Sequence, residues 1–161
     1  MRDEHIPELL QFHPVAQFND DDCLSSGQII LQDKASCFPA KVLAPPAEDG
    51  VHVIDATAAP GNKTSHLSAI MKGKGKVRVF LNFGMSVPCL LNSQIFAFER
   101  DRHRYSTLRS MLEKAHCTNV EAMNSDFLLA SPSDPKFKNV THMRVEQNIR
   151  TFCVLTLLSA Y

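Results

Sequence analysis

At 161 residues the chain has room for one domain with a modest core. An apolar content of 44% with 21% charged residues is that of a globular protein, which sets aside disordered, collagen-like and disulfide-dense classes. Lys and Arg balance Asp and Glu at 17 each, so the basic excess that usually meets nucleic-acid phosphate is missing. Any such affinity must come from a local patch or from a segment outside this sequence.

Five scattered cysteines (Cys23, Cys37, Cys89, Cys117 and Cys153) form no Cys-x-x-Cys pair, and no His stands near one at zinc-finger spacing. Reduced thiols, no metal and an intracellular compartment are the expectation. The charged opening Met1-Arg-Asp-Glu-His lacks the apolar core of a signal peptide, and the apolar run at 152–158 is too short to span a bilayer. No membrane partner is expected.

Residues 1–27, with Pro7, Pro14 and the acidic run Asp20-Asp21-Asp22, read as a linker or the remnant of a preceding domain. From residue 28 the pattern tightens into a strand edge followed by a helix reaching Leu43, and then a Pro-rich loop at 44–50. Residues 51–67 read as a β-branched strand ending on Asp55, a loop of small residues, and the start of a helix. Ala58, Ala59 and Gly61 leave space for a ligand against the backbone, and the helix start offers free N–H groups to a carboxylate or phosphate. Such a unit is the usual cofactor cradle of a doubly wound α/β fold; the plainer alternative is a tight βα turn. The loop lacks the Gly-x-Gly-x-x-Gly of dinucleotide sites, and no Gly precedes Gly61-Asn62-Lys63-Thr64 at P-loop spacing, so dehydrogenase and kinase readings fail.

The helix runs into the basic stretch Lys72-Gly-Lys-Gly-Lys76. The next strand of a βαβ unit is Ile95-Phe-Ala-Phe98, ending on Glu99, where a carboxylate can accept both ribose hydroxyls of a nucleoside cofactor. A solvated strand-end acid is the alternative. Asp101 can cap a helix in which Tyr105, Leu108, Leu112 and Ala115 recur at helical spacing, and residues 119–123 read as a third strand.

The run Asp55-Ala-Thr-Ala-Ala-Pro-Gly-Asn-Lys-Thr64 closely resembles motif I of the Sun/Nop family of RNA cytosine-5 methyltransferases, with Thr57 where a Cys is common. Gln32-Asp33-x-Ala35-Ser36, Ile95-Phe-Ala-Phe-Glu99 and Asn124-Ser-Asp126-Phe127 resemble the same family, with the nearest likeness to its eukaryotic large-subunit rRNA branch. The resemblance covers residues 28–76 and 95–143. It implies a Rossmann-like methyltransferase fold with an incomplete doubly wound parallel sheet, S-adenosylmethionine as cofactor, RNA (rRNA) as partner, and a nucleolar location. It places Thr57, Ala58, Ala59, Pro60, Gly61, Asn62 and Lys63 at the cofactor, with Glu99 on the ribose, Arg104 beside it and Asp126 on the adenine amino group. For Arg104 a plain surface charge, and for Asp126 a short acidic turn, are the alternatives.

Two segments depart from the family. Residues 77–94 have no place in the resemblance and read as an insertion into the domain at 28–143; residues 144–161 form a divergent tail without the family's Pro-Cys and Thr-Cys motifs. A retained intron followed by a shifted frame would account for both, and sequencing the transcript across the junctions tests it. The missing motifs carry the cysteine that activates cytosine by adding to its carbon 6. Cys153 lies in an apolar run with no basic neighbour to activate it. The expectation is therefore a cofactor-binding half that is inactive alone, or a truncated, non-catalytic binding module or unstable product.

Overall fold

The computed structural model describes residues 1–13, 15–18, 20–73, 78–80, 86–88, 94–148 and 151–156. A short helix α1 (Asp22–Ser25) and a longer one, α2 (Lys34–Leu43), precede the first strand, β1 (His52–Asp55), and helix α3 (Asn62–Ile70). Two three-residue strands, β2 (Arg78–Phe80) and β3 (Ser86–Pro88), form an antiparallel ribbon. Strand β4 (Gln94–Phe98), helix α4 (Arg102–Lys114) and strands β5 (Val120–Met123), β6 (Val140–Asn148) and β7 (Thr151–Thr156) complete the chain.

The main sheet has the order β5-β4-β1-β6-β7. The first four strands are parallel and β7 turns back antiparallel to β6. Counted along the chain, the parallel strands stand in the order 3-2-1-4, the first four positions of a doubly wound sheet. Strands β1 and β4 are buried almost throughout, as expected of parallel strands covered on both faces.

One face packs Val53 and Ile95 against Ala40, Leu43, Leu67 and Met71 from α2 and α3, while Ala97 meets Leu108 and Leu112 of α4. On the opposite face Ile54, Phe96 and Phe98 are covered not by a long helix but by the segment after β5. Its 3-10 turns Phe127–Leu129 and Pro135–Phe137 bring Phe127 edge-on to Phe98 at 5.4 Å and Phe137 edge-on to Phe96 at 5.1 Å. Aromatic pairs of this geometry add about 0.5–1.5 kcal/mol each beyond burial.

Several expectations meet a different arrangement. The run Ile29-Ile30-Leu31 forms no strand; it passes as a loop held by Ile29 N–H to Cys23 O at 3.0 Å and by Asn62 Nδ2 donating to Leu31 O at 3.3 Å. Residues 1–13, part of the stretch read as a linker or the remnant of a preceding domain, fold back on α2. Asp3 is the hub, accepting from His5 and Ile6 N–H and pairing with Lys34 Nζ at 2.7 Å, while Ile6 is buried. Of the segment read as an insertion, residues 77, 81–85 and 89–93 lie outside the described residues, as do 149–150 and 157–161 of the tail. Residues 144–148 continue β6 along β1 and β7.

Candidate functional site

An open parallel sheet places its ligand beyond the carboxyl ends of its strands, at the point where strand order reverses. Here that point lies between β1 and β6. Asp55 ends β1 fully buried. Its Oδ2 accepts from Thr64 Oγ1 at 2.8 Å, and its Oδ1 meets Arg144 Nη1 at 2.6 Å. Beyond it, Ala56 N–H donates to Arg144 O at 2.9 Å and Ala58 N–H to Phe98 O at 3.0 Å, so the loop after β1 is stitched to both neighbouring strands. Thr57 Oγ1 accepts from Glu146 N–H at 3.0 Å. Arg144 Nη2 reaches Glu146, whose carboxylate also lies 3.2 Å from Lys63 Nζ. Charges thus alternate from Asp55 through Arg144 and Glu146 to Lys63.

The small residues of the loop are used twice. Ala58 and Ala59 are buried against Leu108 and Leu112 of α4. Gly61 adopts φ +115°, a region natural only to glycine, and a Cβ there would stand 3.1 Å from Met111 Cβ and 3.2 Å from Leu108 Cδ1. The sequence reading reserved this smallness for a ligand; close approach of a helix claims much of it.

Glu99, just past β4, is 5% exposed. Its Oε1 accepts from Asp101 N–H at 3.0 Å, and Oε2 lies 3.5 Å from Arg104 Nη2, which also donates to Ala59 O at 3.0 Å. Arg104 thereby braces the cradle loop to the end of β4. Asp126, past β5, accepts from Leu128 N–H at 2.9 Å, and its other oxygen lies 3.9 Å from Arg100 Nη1.

These strand ends enclose a cleft of 620 Å³. Of the ten residues singled out by sequence, Thr57, Ala59, Lys63, Glu99, Arg104 and Asp126 line it, with Phe98, Phe127 and Glu146 beside them. Ala58, Pro60 and Asn62 face a neighbouring cavity of 480 Å³ that shares Ala59, Lys63 and Glu146 as its wall; Gly61 lines neither. Sequence reasoning missed Arg144 and Glu146. Both belong to a segment read as divergent, and Arg144 is recognisable only through Asp55, 89 positions away.

Burial pushes the Cys37 and Cys117 thiols above the ordinary range, and neither lines the cleft. Among the described residues no three His, Cys, Asp or Glu are grouped to hold a metal ion, and no helix is long and apolar enough to cross a membrane.

No family model matches the chain. Over 144 residues, 89% of this chain, it is 38% identical to the 28S rRNA (cytosine-C(5))-methyltransferase of Mus musculus and 37% identical to the 25S rRNA (cytosine-C(5))-methyltransferase of Schizosaccharomyces pombe. It spans only 27% of the length of either relative. Among solved structures, a methyltransferase homolog protein from Pyrococcus horikoshii superposes with a TM-score of 0.54 at 27% identity, covering 72% of this chain and 31% of that one. With its strand order, its cradle loop and these likenesses taken together, the chain is homologous over 89% of its length to one part of the large-subunit rRNA (cytosine-C(5))-methyltransferases, and so resembles the Sun/Nop family.

Proposed function

We propose that the 620 Å³ cleft binds S-adenosylmethionine, and that the chain is the cofactor-binding part of a methyltransferase acting on cytosine in large-subunit rRNA, with a nucleolar location. The observation that carries this reading is the convergence of Glu99, Asp126 and the Thr57–Lys63 side of the cradle loop on one cleft from three neighbouring strands. The donor set suits the cofactor. Glu99 offers carboxylate oxygens to a ribose diol, and Asp126 offers one to an adenine amine. Phe98 and Phe127 supply an apolar wall. Lys63 and Glu146, of opposite charge and 3.2 Å apart, suit the zwitterionic amino-acid end.

When bound, the cofactor supplies an electrophilic methyl group. This chain's own residues hold and orient it: Arg104 fixes the loop carbonyl of Ala59 beside Glu99, and the Asp55–Arg144 pair fixes the loop's other end. Cytosine carbon 5 needs a thiolate addition at carbon 6 before it can accept a methyl. Cys37, buried, and Cys117, half-buried, have raised thiols away from the cleft, which supports a chain that binds cofactor without transferring from it. Calorimetric titration with S-adenosylmethionine tests the reading. Saturable heat is expected, and a flat titration of folded protein overturns it. Methyl transfer to cytosine in RNA by the purified chain would refute the non-catalytic part.

A further inference from the structure

We propose that the outer face of α4 is a binding surface for the phosphate backbone of single-stranded RNA. The proposal rests on the preceding reading for the class of partner, but on separate residues for the site.

Charge is balanced over the whole chain, yet it is not evenly spent. Between positions 100 and 116 stand Arg100, Arg102, Arg104, Arg109 and Lys114, opposed only by Asp101 and Glu113. Elsewhere Lys34, Lys41, Lys63, Lys136 and Arg144 each face a carboxylate within 4.0 Å, and the unpaired described cations Arg2, Lys72 and Lys138 stand apart from one another in the sequence. On α4 itself Arg102, Arg109 and Lys114 face none, and all three are exposed, so three of the six unpaired cations among the described residues lie on this one helix.

Helix geometry gathers them. Leu108 and Leu112 point α4 into the core, so His103, Ser106 and Ser110 stand on the opposite side, with Arg102, Arg109 and Glu113 along one flank of it and Thr107 and Lys114 along the other. Thr107 and Ser110 donate to the helix carbonyls of His103 and Ser106 at 3.4 and 3.2 Å, so the exposed cations supply the attraction for phosphate. The placement also opposes the helix's own preference. Its first turn carries Arg102, His103 and Arg104 and no acid, where the partial positive charge of the N-terminus disfavours cations. The Asp101 carboxylate at the N-cap offsets part of that repulsion, and an anionic partner relieves the rest. The same helix end reaches the cofactor cleft through Arg104 and follows directly on Arg100, which lines that cleft, so a strand lying on α4 passes its mouth.

The test is fluorescence anisotropy with a labelled single-stranded oligoribonucleotide, titrated at several salt concentrations. The variant R102Q/R109Q/K114Q should bind at least tenfold more weakly and flatten the log–log salt slope by about 2, the value for three released counterions on a single strand. The exposed pair K72Q/K138Q, on other faces, should retain the parental slope to within about 1. An unchanged affinity and slope in the triple variant, an equal loss in the double variant, or tighter binding to phosphatidylserine vesicles than to RNA would each overturn the proposal. Cofactor heat measured on the same triple variant keeps the two readings apart. It should equal that of the parent, and its absence in both proteins would refute the cofactor reading while leaving the RNA result to stand on its own.

Discussion

Replacing Arg144 by Met separates a buried ion pair from mere packing. The guanidinium and the Asp55 carboxylate are 2% and 0% exposed and meet at 2.6 Å. Removing one partner of such a pair leaves a charge without compensation, a loss of about 3–5 kcal/mol. Two features favour the lower end. Asp55 keeps the Thr64 hydroxyl at 2.8 Å, and the second arm of Arg144 goes to Glu146, which is 21% exposed and contributes little. A loss of about 3 kcal/mol corresponds to a fall in melting temperature of about 6–12 °C for a chain of this length. The double variant D55N/R144M removes both charges while keeping an acceptor for Thr64, and should recover about 1–2 kcal/mol of the loss, since replacing both partners is far less costly than removing one. Thermal and urea unfolding of the four proteins in the cycle measure this. Strictly additive losses, or a single variant as stable as the parent, would refute the reasoning.

Gly61→Ala forces a Cβ to 3.1 Å from Met111 on a backbone at φ +115°, and should lower unfolding free energy by about 1–3 kcal/mol in urea melts. Glu99→Gln removes a charged acceptor from the cleft and should weaken S-adenosylmethionine by about 10- to 150-fold in calorimetry, the worth of a hydrogen bond to a charged group. Lys34, followed by the surrounding N–H donors, holds the Asp3 carboxyl down to about 2 from an ordinary 3.8. Because the folded value is the lower, the docking it supports is complete above about pH 4 and is lost as pH falls through about 2. Amide hydrogen-exchange protection factors of residues 1–13, corrected for the intrinsic rate at each pH, should fall over that window in the parent, and Asp3→Asn should abolish that fall. Burial pushes His66 below its ordinary 6.5, so stability falls as pH drops beneath that value, and His66→Gln should flatten the profile of melting temperature against pH in that region.

Local signals made part of this fold readable. Val53 and Ile54 precede a loop of small residues, Ile95 to Phe98 repeat the pattern, and Asp101 caps α4 by accepting from Arg104 N–H at 2.8 Å. Each is settled within a few residues of itself. What sequence reading missed is settled at long range. Asp3 anchors residues 1–13 through Lys34, so a stretch with linker composition is docked. Ile29-Ile30-Leu31 has strand-forming side chains but no neighbour to pair with, and its Leu31 carbonyl goes to Asn62 instead. Arg144 falls on the polar alternation of β6, with His142 and Glu146, and nothing nearby in the sequence shows that it is buried against Asp55. The cleft is intermediate: Glu99 and Asp126 were legible as strand-end acids, whereas Glu146, on the wall between the two cavities, was not.

The close seating of α4 on Gly61, Ala58 and Ala59 bears on how such motifs are interpreted in other proteins. A larger residue at these positions would lift a helix off the sheet whether or not any ligand ever arrives. Selection for a folded polypeptide therefore preserves the spelling of the loop after selection for chemistry has lapsed. In a survey of genomes, this string of residues counts architectures, and the number of working enzymes among them must be counted by their nucleophiles.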